Sequence, residues 1–195
     1  MESYFENKIV EYIKKNKAMT TYDEEILKYG IRIYYLNISK LVILLAVSVI
    51  LNILRETCIA FLLVAILKRF SYGFHADTFL SCISITFINI FGIVYLSKLI
   101  FNPMTKIILA VISIILYALY APADTEERPL VNEKKRLKLK IQSIFISILF
   151  FVLSFFTDEQ SSNMLILSLL FIGLNTSPVL YILFKKSSGV MSSEK

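Results

Sequence analysis

The chain is poor in the residues that build metal centres and disulfide frameworks. Its 195 residues include one histidine, two cysteines and no tryptophan. Cys58 and Cys82 fall on different hydrophobic segments, near opposite membrane faces in the arrangement argued below, so a disulfide between them is not expected. One histidine and two separated cysteines cannot make a common zinc site. We therefore expect no metal and no other cofactor.

Two further features are missing. The first thirty residues are charged and lack a short apolar core ending in small residues, so no cleaved secretory signal is expected and the mature protein should begin near Met1. The net charge is +6, but the basic residues flank hydrophobic segments and have no recognised nucleic-acid motif around them. Nucleic acid is therefore not expected as a partner.

Apolar residues are abundant, at 56% of the chain with a mean hydropathy of +0.68, which favours lipid as the solvent. The sequence predicts an all-α integral membrane protein that forms a single polytopic domain over residues 1–195. It has about six transmembrane helices and an N-terminal amphipathic interfacial helix. The predicted spans are 36–54, 56–67, 79–100, 106–121, 140–157 and 163–184.

The N-terminal helix is predicted over residues 2–29. Phe5, Ile9, Tyr12 and Ile13 recur at helical spacing, with the lysines largely elsewhere, which is typical of a helix lying on a membrane surface. The alternative is a solvated cytoplasmic helix.

The number of spans depends on whether residues 41–67 form two helices or one helix interrupted at Arg55 and Glu56. With six spans, 18 of the 21 basic residues are cytoplasmic and only Arg55, Lys98 and Lys106 lie outside, as the positive-inside tendency requires. Both termini are then cytoplasmic, and the loops 68–78 and 122–139 face that same side.

His75 and Cys82 form the candidate catalytic pair, because a histidine can take the thiol proton and later protonate a leaving amine. On a straight helix seven residues rise about 10.5 Å, beyond hydrogen-bonding reach, so the pair requires a bend. Gly73, Asp77 and Thr78 make a loop plausible, and a helix N-terminus near Cys82 would favour its thiolate. The alternative is a packed cysteine and an interfacial histidine.

A second notable segment is Ala-Pro-Ala-Asp-Thr-Glu-Glu-Arg-Pro, residues 121–129, which leads into the basic run that contains Lys134, Lys135 and Arg136. Pro129 would interrupt a helix begun at Asp124, so a structured turn is expected. The basic run either marks the cytoplasmic side and touches anionic lipid or attracts an acidic peptide.

Together these segments resemble the accessory gene regulator B (AgrB) family, membrane proteases of Gram-positive quorum sensing. The resemblance rests on the amphipathic N-terminus, about six spans, Gly-x-His followed seven positions later by cysteine, and the proline-flanked Ala-Asp-Thr-x-x-Arg-Pro segment before a basic stretch. The chain departs from the family's common Gly-Gly before the histidine by having Tyr72-Gly73.

The resemblance implies a cysteine endopeptidase at the cytoplasmic face of the cell membrane, with Cys82 as nucleophile and His75 as general base and acid. Gly73 would shape the loop, and Lys68 or Arg69 stands where the family has a basic residue. The implied partners are an AgrD-like propeptide, membrane lipid and a second copy in a homodimer. Cleavage of the precursor's acidic C-terminal tail would leave an acyl thioester on Cys82, which the precursor could resolve by closing a thiolactone or lactone ring.

Two other functions fit the composition: a small peptide transporter and a non-enzymatic scaffold that docks a sensor protein. Both would tolerate the loss of Cys82. The middles of the predicted spans carry hardly any charge, which disfavours ion-coupled transport.

Overall fold

The computed structural model describes Lys8, Val10, Ile13 and residues 21–72, 79–123 and 133–178. These residues contain six long helices and no strand, which confirms the predicted all-α class for this part of the chain. The helices are α1 (Thr21–Ile50), α2 (Leu54–Ser71), α3 (Phe79–Leu96), α4 (Pro103–Tyr120), α5 (Glu133–Leu153) and α6 (Glu159–Thr176).

The limits of α4 and α6 follow from local sequence. Asn102 caps α4 by accepting a hydrogen bond from the Met104 N–H at 3.3 Å, and Pro103 takes the first helical position, where no N–H is needed. Asp158 caps α6 in the same way, by accepting from the Ser161 N–H at 3.1 Å. A proline follows the last residues of both helices, at positions 122 and 178, where it discourages the helix from continuing.

The first helix belongs to one compact unit, residues 1–52, and runs without a break from Thr21 to Ile50. The predicted surface helix 2–29 and the predicted span 36–54 both overlap it, and the helix has no break between residues 29 and 36. The continuity has a local reason, since no proline interrupts this stretch and Glu24 pairs with Lys28 one turn later at 2.8 Å.

The structure separates residues 41–67 into two helices, as the charge argument required, but not at Arg55 and Glu56. The break is at Leu51–Ile53, where Asn52 takes a left-handed φ of 54°. Asparagine tolerates this conformation better than most residues. The second helix is also not short, as the predicted span 56–67 would have it, because α2 continues through Lys68 and Arg69 to Ser71.

The remaining five helices form the second unit, residues 53–195, with α6 at its centre. α6 contacts each of α2, α3, α4 and α5, and its side chains are buried on almost every side. A helix that is apolar all round is expected in such a central position. The outer helices enclose it, and their outer faces are apolar.

The outer face of α4 is the clearest example. Only 17% of this 18-residue apolar helix is buried, and isoleucine, leucine and valine side chains cover its exposed face. A helix of this length spans about 27 Å, close to the thickness of a bilayer's hydrocarbon core. Among the described residues α4 is the one helix long and apolar enough to cross a membrane by itself. The apolar parts of α1 and α3 are shorter, at Tyr34–Ile50 and Cys82–Leu96. The count of six spans stays a prediction.

Most serine and threonine hydroxyls inside the bundle are satisfied locally by donating to a carbonyl three or four residues earlier, as Ser113 does to Leu109 at 2.7 Å and Ser168 to Leu165 at 2.8 Å. The buried Thr57 hydroxyl has no such partner. Such bonds remove the cost of an unpaired hydroxyl in apolar surroundings. Small residues also allow close packing, since a Cβ atom on Gly92 would lie 2.9 Å from Phe171 Cζ.

Candidate active site

Contacts between helix ends indicate that helices of the second unit that are consecutive in the sequence alternate in direction. Asn163 near the start of α6 donates to the carbonyls of Ser97 and Leu99 beyond the end of α3, at 3.0 and 2.9 Å. Lys106 near the start of α4 donates to Ser162 at 3.3 Å. These groups share one end of the bundle. The ends of α2, α4 and α6 and the starts of α3 and α5 lie at the other, here called the Cys82 end.

Cys82 lies in the first turn of α3 and is half-buried. The Thr86 hydroxyl donates to the Cys82 carbonyl at 2.8 Å, so the hydroxyl is satisfied within its own helix. The first N–H groups of a helix have no acceptor within it, and the positive end of the helix dipole favours a thiolate. The position of Cys82 therefore suits a nucleophilic cysteine.

The end of α2 faces the same region. Lys68 and Arg69 lie in its last turn, Lys68 partly buried and Arg69 exposed. α2 and α3 pack together as consecutive antiparallel helices, so Tyr72 and Phe79 lie at the same end of the bundle. The bend that the His75–Cys82 pair requires stays a prediction. His75 and Gly73 themselves lie outside the described residues, and their roles stay predictions.

An isolated bridge joins the two segments that carry the motifs. The Ala123 N–H donates to the Ser71 carbonyl at 3.0 Å, and Tyr72 pairs with Ala123 in parallel orientation. Ala121 and Pro122 are buried just before this contact, and the peptide bond between them is cis. The segment after α2, which leads to His75, therefore starts beside the segment after α4, which leads to Asp124 and Arg128.

Sequence reasoning missed this pairing. Tyr72 and Ala123 are far apart in the sequence, and neither carries a reactive group. The one available signal was Pro122, which marks the end of α4 but does not identify its neighbour.

Lys134, Lys135 and Arg136 are exposed in the first turns of α5. This position is unfavourable for cations, because the N-terminus of a helix carries a partial positive charge. The helix dipole therefore does not account for three consecutive basic residues here. The structure brings them to the same end as Cys82, Lys68 and Arg69.

Cys58 is the natural contrast to Cys82. It is exposed in the second turn of α2, at the opposite end of the bundle. The two cysteines are not bridged, and Cys58 has no counterpart of the motif residues near it in the sequence. Within the described residues no cluster of three or more histidine, cysteine or acidic side chains could hold a metal ion.

Comparison with known proteins places the chain in one family. The profile of the accessory gene regulator B family matches residues 6–176. The chain is 33% identical over 173 residues to the putative AgrB-like protein of Clostridium acetobutylicum, covering 87% of this chain and 83% of that protein. It is 28% identical to accessory gene regulator protein B of Staphylococcus aureus strain MW2, covering 92% of this chain and 97% of the relative.

A third relative, accessory gene regulator protein B of Staphylococcus carnosus, is 26% identical and matches 80% of this chain and 81% of its own length. No solved structure matches the chain. The family profile extends over most of the sequence, from the N-terminal segment to the last residue of α6. The chain therefore belongs to the accessory gene regulator B family.

Proposed function

We propose that the protein is a membrane-embedded cysteine endopeptidase that removes the C-terminal tail of a quorum-sensing propeptide and promotes cyclisation of the remaining peptide. Membership of the accessory gene regulator B family supports a role in processing such a peptide at a membrane. The observation that carries the proposal is the placement of Cys82 in the first turn of α3, at the same end of the bundle as the last turn of α2, with His75 in the sequence between the two helices.

In the proposed first step, His75 takes the proton of the Cys82 thiol and the thiolate attacks the carbonyl carbon of the scissile peptide bond. The carbon–nitrogen bond breaks, and His75 returns the proton to the leaving amine of the tail. The acyl group stays on Cys82 as a thioester.

In the second step, a cysteine thiol or serine hydroxyl of the precursor attacks this thioester. A thiolactone or lactone ring forms, and the Cys82 sulfur leaves and regains a proton. Exchange of one thioester for another is nearly balanced, so ring closure depends on positioning and on the exclusion of water. A half-buried thiol at the end of an apolar bundle suits both needs.

The charges at the Cys82 end suit an acidic tail. Lys134, Lys135 and Arg136 start α5, and Lys68 and Arg69 end α2. In the proposed orientation this end is cytoplasmic, both termini lie on that side, and anionic lipid and the precursor approach it from the membrane plane. The proposed protein acts as a homodimer, as the resemblance to the family implies.

The test is co-expression with a tagged AgrD-like precursor encoded beside the gene, comparing the unaltered chain with Cys82→Ala and His75→Ala. Cys58→Ala is the matched control, because it also replaces a cysteine of the same bundle but at the opposite end. Mass spectrometry would detect tail release and the acyl-enzyme, and membrane fractionation would report insertion.

We expect the unaltered chain and Cys58→Ala to release the tail, while Cys82→Ala and His75→Ala insert into the membrane but release none. Normal tail release by Cys82→Ala would contradict the proposed mechanism and leave the transporter or scaffold function in its place.

A further inference from the structure

Four buried side-chain atoms of the described residues lack a hydrogen-bond partner: the Thr57 hydroxyl on α2, Asn163 Oδ1 near the start of α6, and the side-chain nitrogens of Asn89 and Asn175. The two nitrogens are amide donors on facing helices. Asn89 on α3 is 5% exposed and Asn175 on α6 is 3% exposed, and the side-chain nitrogen of each lacks a hydrogen-bond acceptor. Asn163, by contrast, uses its nitrogen to donate to two carbonyls, although its Oδ1 has no partner, and buried serines such as Ser168 donate to their own helices. An amide donor left unpaired in apolar surroundings is costly, so these two call for an explanation.

Asn89 lies on the face of α3 that begins with Cys82. Cys82, Thr86 and Asn89 are spaced by four and three residues, which places them on one side of a helix, and the same face continues into the buried Ile93. Seven residues rise about 10.5 Å, so Asn89 is about two turns further into the bundle than the thiol.

Asn175 lies opposite this part of α3. The two helices are antiparallel, and Gly92 meets Phe171 across their interface. Asn175 is four residues beyond Phe171, and Asn89 is three residues before Gly92. One helical turn closer to the Cys82 end than the Gly92–Phe171 contact, Asn175 therefore lies opposite the turn of α3 that contains Asn89.

The missing partner of both groups is a hydrogen-bond acceptor. A peptide that reaches into the bundle brings such acceptors, because each of its main-chain carbonyls must be satisfied where water is absent. An extended peptide rises about 3.3 Å per residue, so a distance of about 10 Å corresponds to about three residues. The acidic tail of the precursor would contact the basic residues at the surface. The signal segment is therefore the part of the precursor that would enter the apolar interior.

We infer that Asn89 and Asn175 form a subsite that binds main-chain carbonyls of the precursor two to four residues before the scissile bond. This inference rests on the proposed function. The subsite would hold the signal segment extended beneath Cys82 and align the scissile carbonyl with the thiol. The subsite would bind the main chain of the signal segment and not its side chains, and would therefore tolerate different signal sequences.

The first experiment alters the precursor and uses the unaltered protein. Precursors made by semisynthesis carry an ester in place of one amide at each of the last six linkages of the signal segment, leaving the scissile bond intact. An ester carbonyl is a weaker acceptor than an amide carbonyl. Where a carbonyl meets Asn89 or Asn175, we expect the rate of acyl-enzyme formation at subsaturating precursor to fall about three- to tenfold, the usual range for one hydrogen bond.

The second experiment combines these precursors with Asn89→Leu and Asn175→Leu, which keep the number and branching of the side-chain heavy atoms but remove the donor. Each variant should raise KM for the unaltered precursor and abolish the further loss caused by the ester at its own position. Ser168→Ala, a buried polar residue of α6 that bonds within its helix, is the matched control and should keep the full ester effect. Alkylation of Cys82 by iodoacetamide should proceed at the same rate in all variants, because the thiol is not altered.

The outcomes separate the two proposals. If the unaltered protein cleaves, Cys82→Ala does not, and no ester position affects the rate, the asparagines hold water or serve the fold alone and the subsite is rejected. The subsite is also rejected if the ester effect persists in both leucine variants. If Cys82→Ala cleaves normally, the proposed function fails, whatever the asparagine variants do.

Discussion

Tyr72 has a backbone conformation that suits glycine better than tyrosine. Its φ of 57° and ψ of −130° lie outside the regions that residues with a Cβ atom favour, and its N–H closes α2 by donating to the Lys68 carbonyl. The adjacent Tyr72–Ala123 bridge fixes the residue in this place. The turn therefore forms at this position despite the strain.

We expect Tyr72→Gly to raise the free energy of unfolding by about 1 kcal/mol, because it relieves this strain. Denaturant unfolding in detergent would measure the change. Asn52→Gly is the matched control, since Asn52 also has a positive φ but tolerates it, and its gain should be smaller. A loss of stability in Tyr72→Gly would mean that the contacts of the tyrosine ring outweigh the strain.

Asp158 links the stability of α6 to pH. Its carboxylate caps the helix, and hydrogen bonds from Ser161 hold its pKa below the ordinary value, with a further contribution from Arg55. A lowered pKa in the folded state stabilises the protein above the unfolded pKa, and this contribution is lost as the pH falls through the folded pKa. We therefore expect the midpoint temperature of thermal unfolding of the unaltered protein to decrease as the pH is lowered below about 4.

In Asp158→Asn, which retains a capping oxygen but does not titrate, this part of the pH dependence should disappear. Thermal unfolding in detergent between about pH 3 and pH 6 would measure it. The same slope in both proteins would assign the acid sensitivity to other carboxylates.

For the helix α5, the basic residues at its start allow a test that distinguishes a role in precursor processing from a role in helix stability. The three side chains are exposed, so replacing Lys134, Lys135 and Arg136 with glutamine should change the thermal stability little. If they attract an acidic tail, precursor processing should fall by about tenfold at low salt and by less at high salt, because salt screens exposed charges. Equal loss at every salt concentration would contradict this role. Lys98→Gln, at the other end of the bundle, is the control.

Hydropathy predicted the order of the helices better than their ends. α4 could be placed from its apolar run and from Asn102, Pro103 and Pro122, which are local signals. The extension of α2 through Lys68 and Arg69 could not, because charged residues at a span's end fit either a helix or a loop. The break at Asn52 depends on a left-handed φ that hydropathy does not encode.

The candidate site divides in the same way. Cys82 was identified from its spacing to His75 and from a family motif, both of which are features of one short segment. The Tyr72–Ala123 bridge and the unpaired nitrogens of Asn89 and Asn175 depend on packing between helices that are distant in sequence. In the sequence, the two asparagines look like ordinary polar residues in apolar runs, and only their burial without an acceptor distinguishes them.

At the scale of the whole molecule, the five-helix unit has two chemically different ends and an apolar outer surface between them. Basic residues start α5 and end α2 at the Cys82 end, whereas the opposite end has the Asp158 cap and Lys98 beside the ring of Tyr95, with Nζ 5.5 Å from the ring centroid. An apolar outer surface on α4 suits lipid, and the difference in positive charge suits a cytoplasmic Cys82 end. The fold and the charge distribution thus favour one orientation.

This orientation can be measured with two exposed positions, one at each end. In a Cys58→Ala, Cys82→Ala background, Lys98→Cys and Lys134→Cys each provide a single thiol for a membrane-impermeant maleimide. We expect Lys98→Cys to react in intact cells and Lys134→Cys to react only after permeabilisation, because α5 should carry the basic end into the cytoplasm. Both thiols are exposed, so a difference in labelling would report the side of the membrane and not burial. Labelling of both in intact cells would place the two ends on one side, and a bundle that spans the bilayer with Cys82 in the cytoplasm would then be wrong.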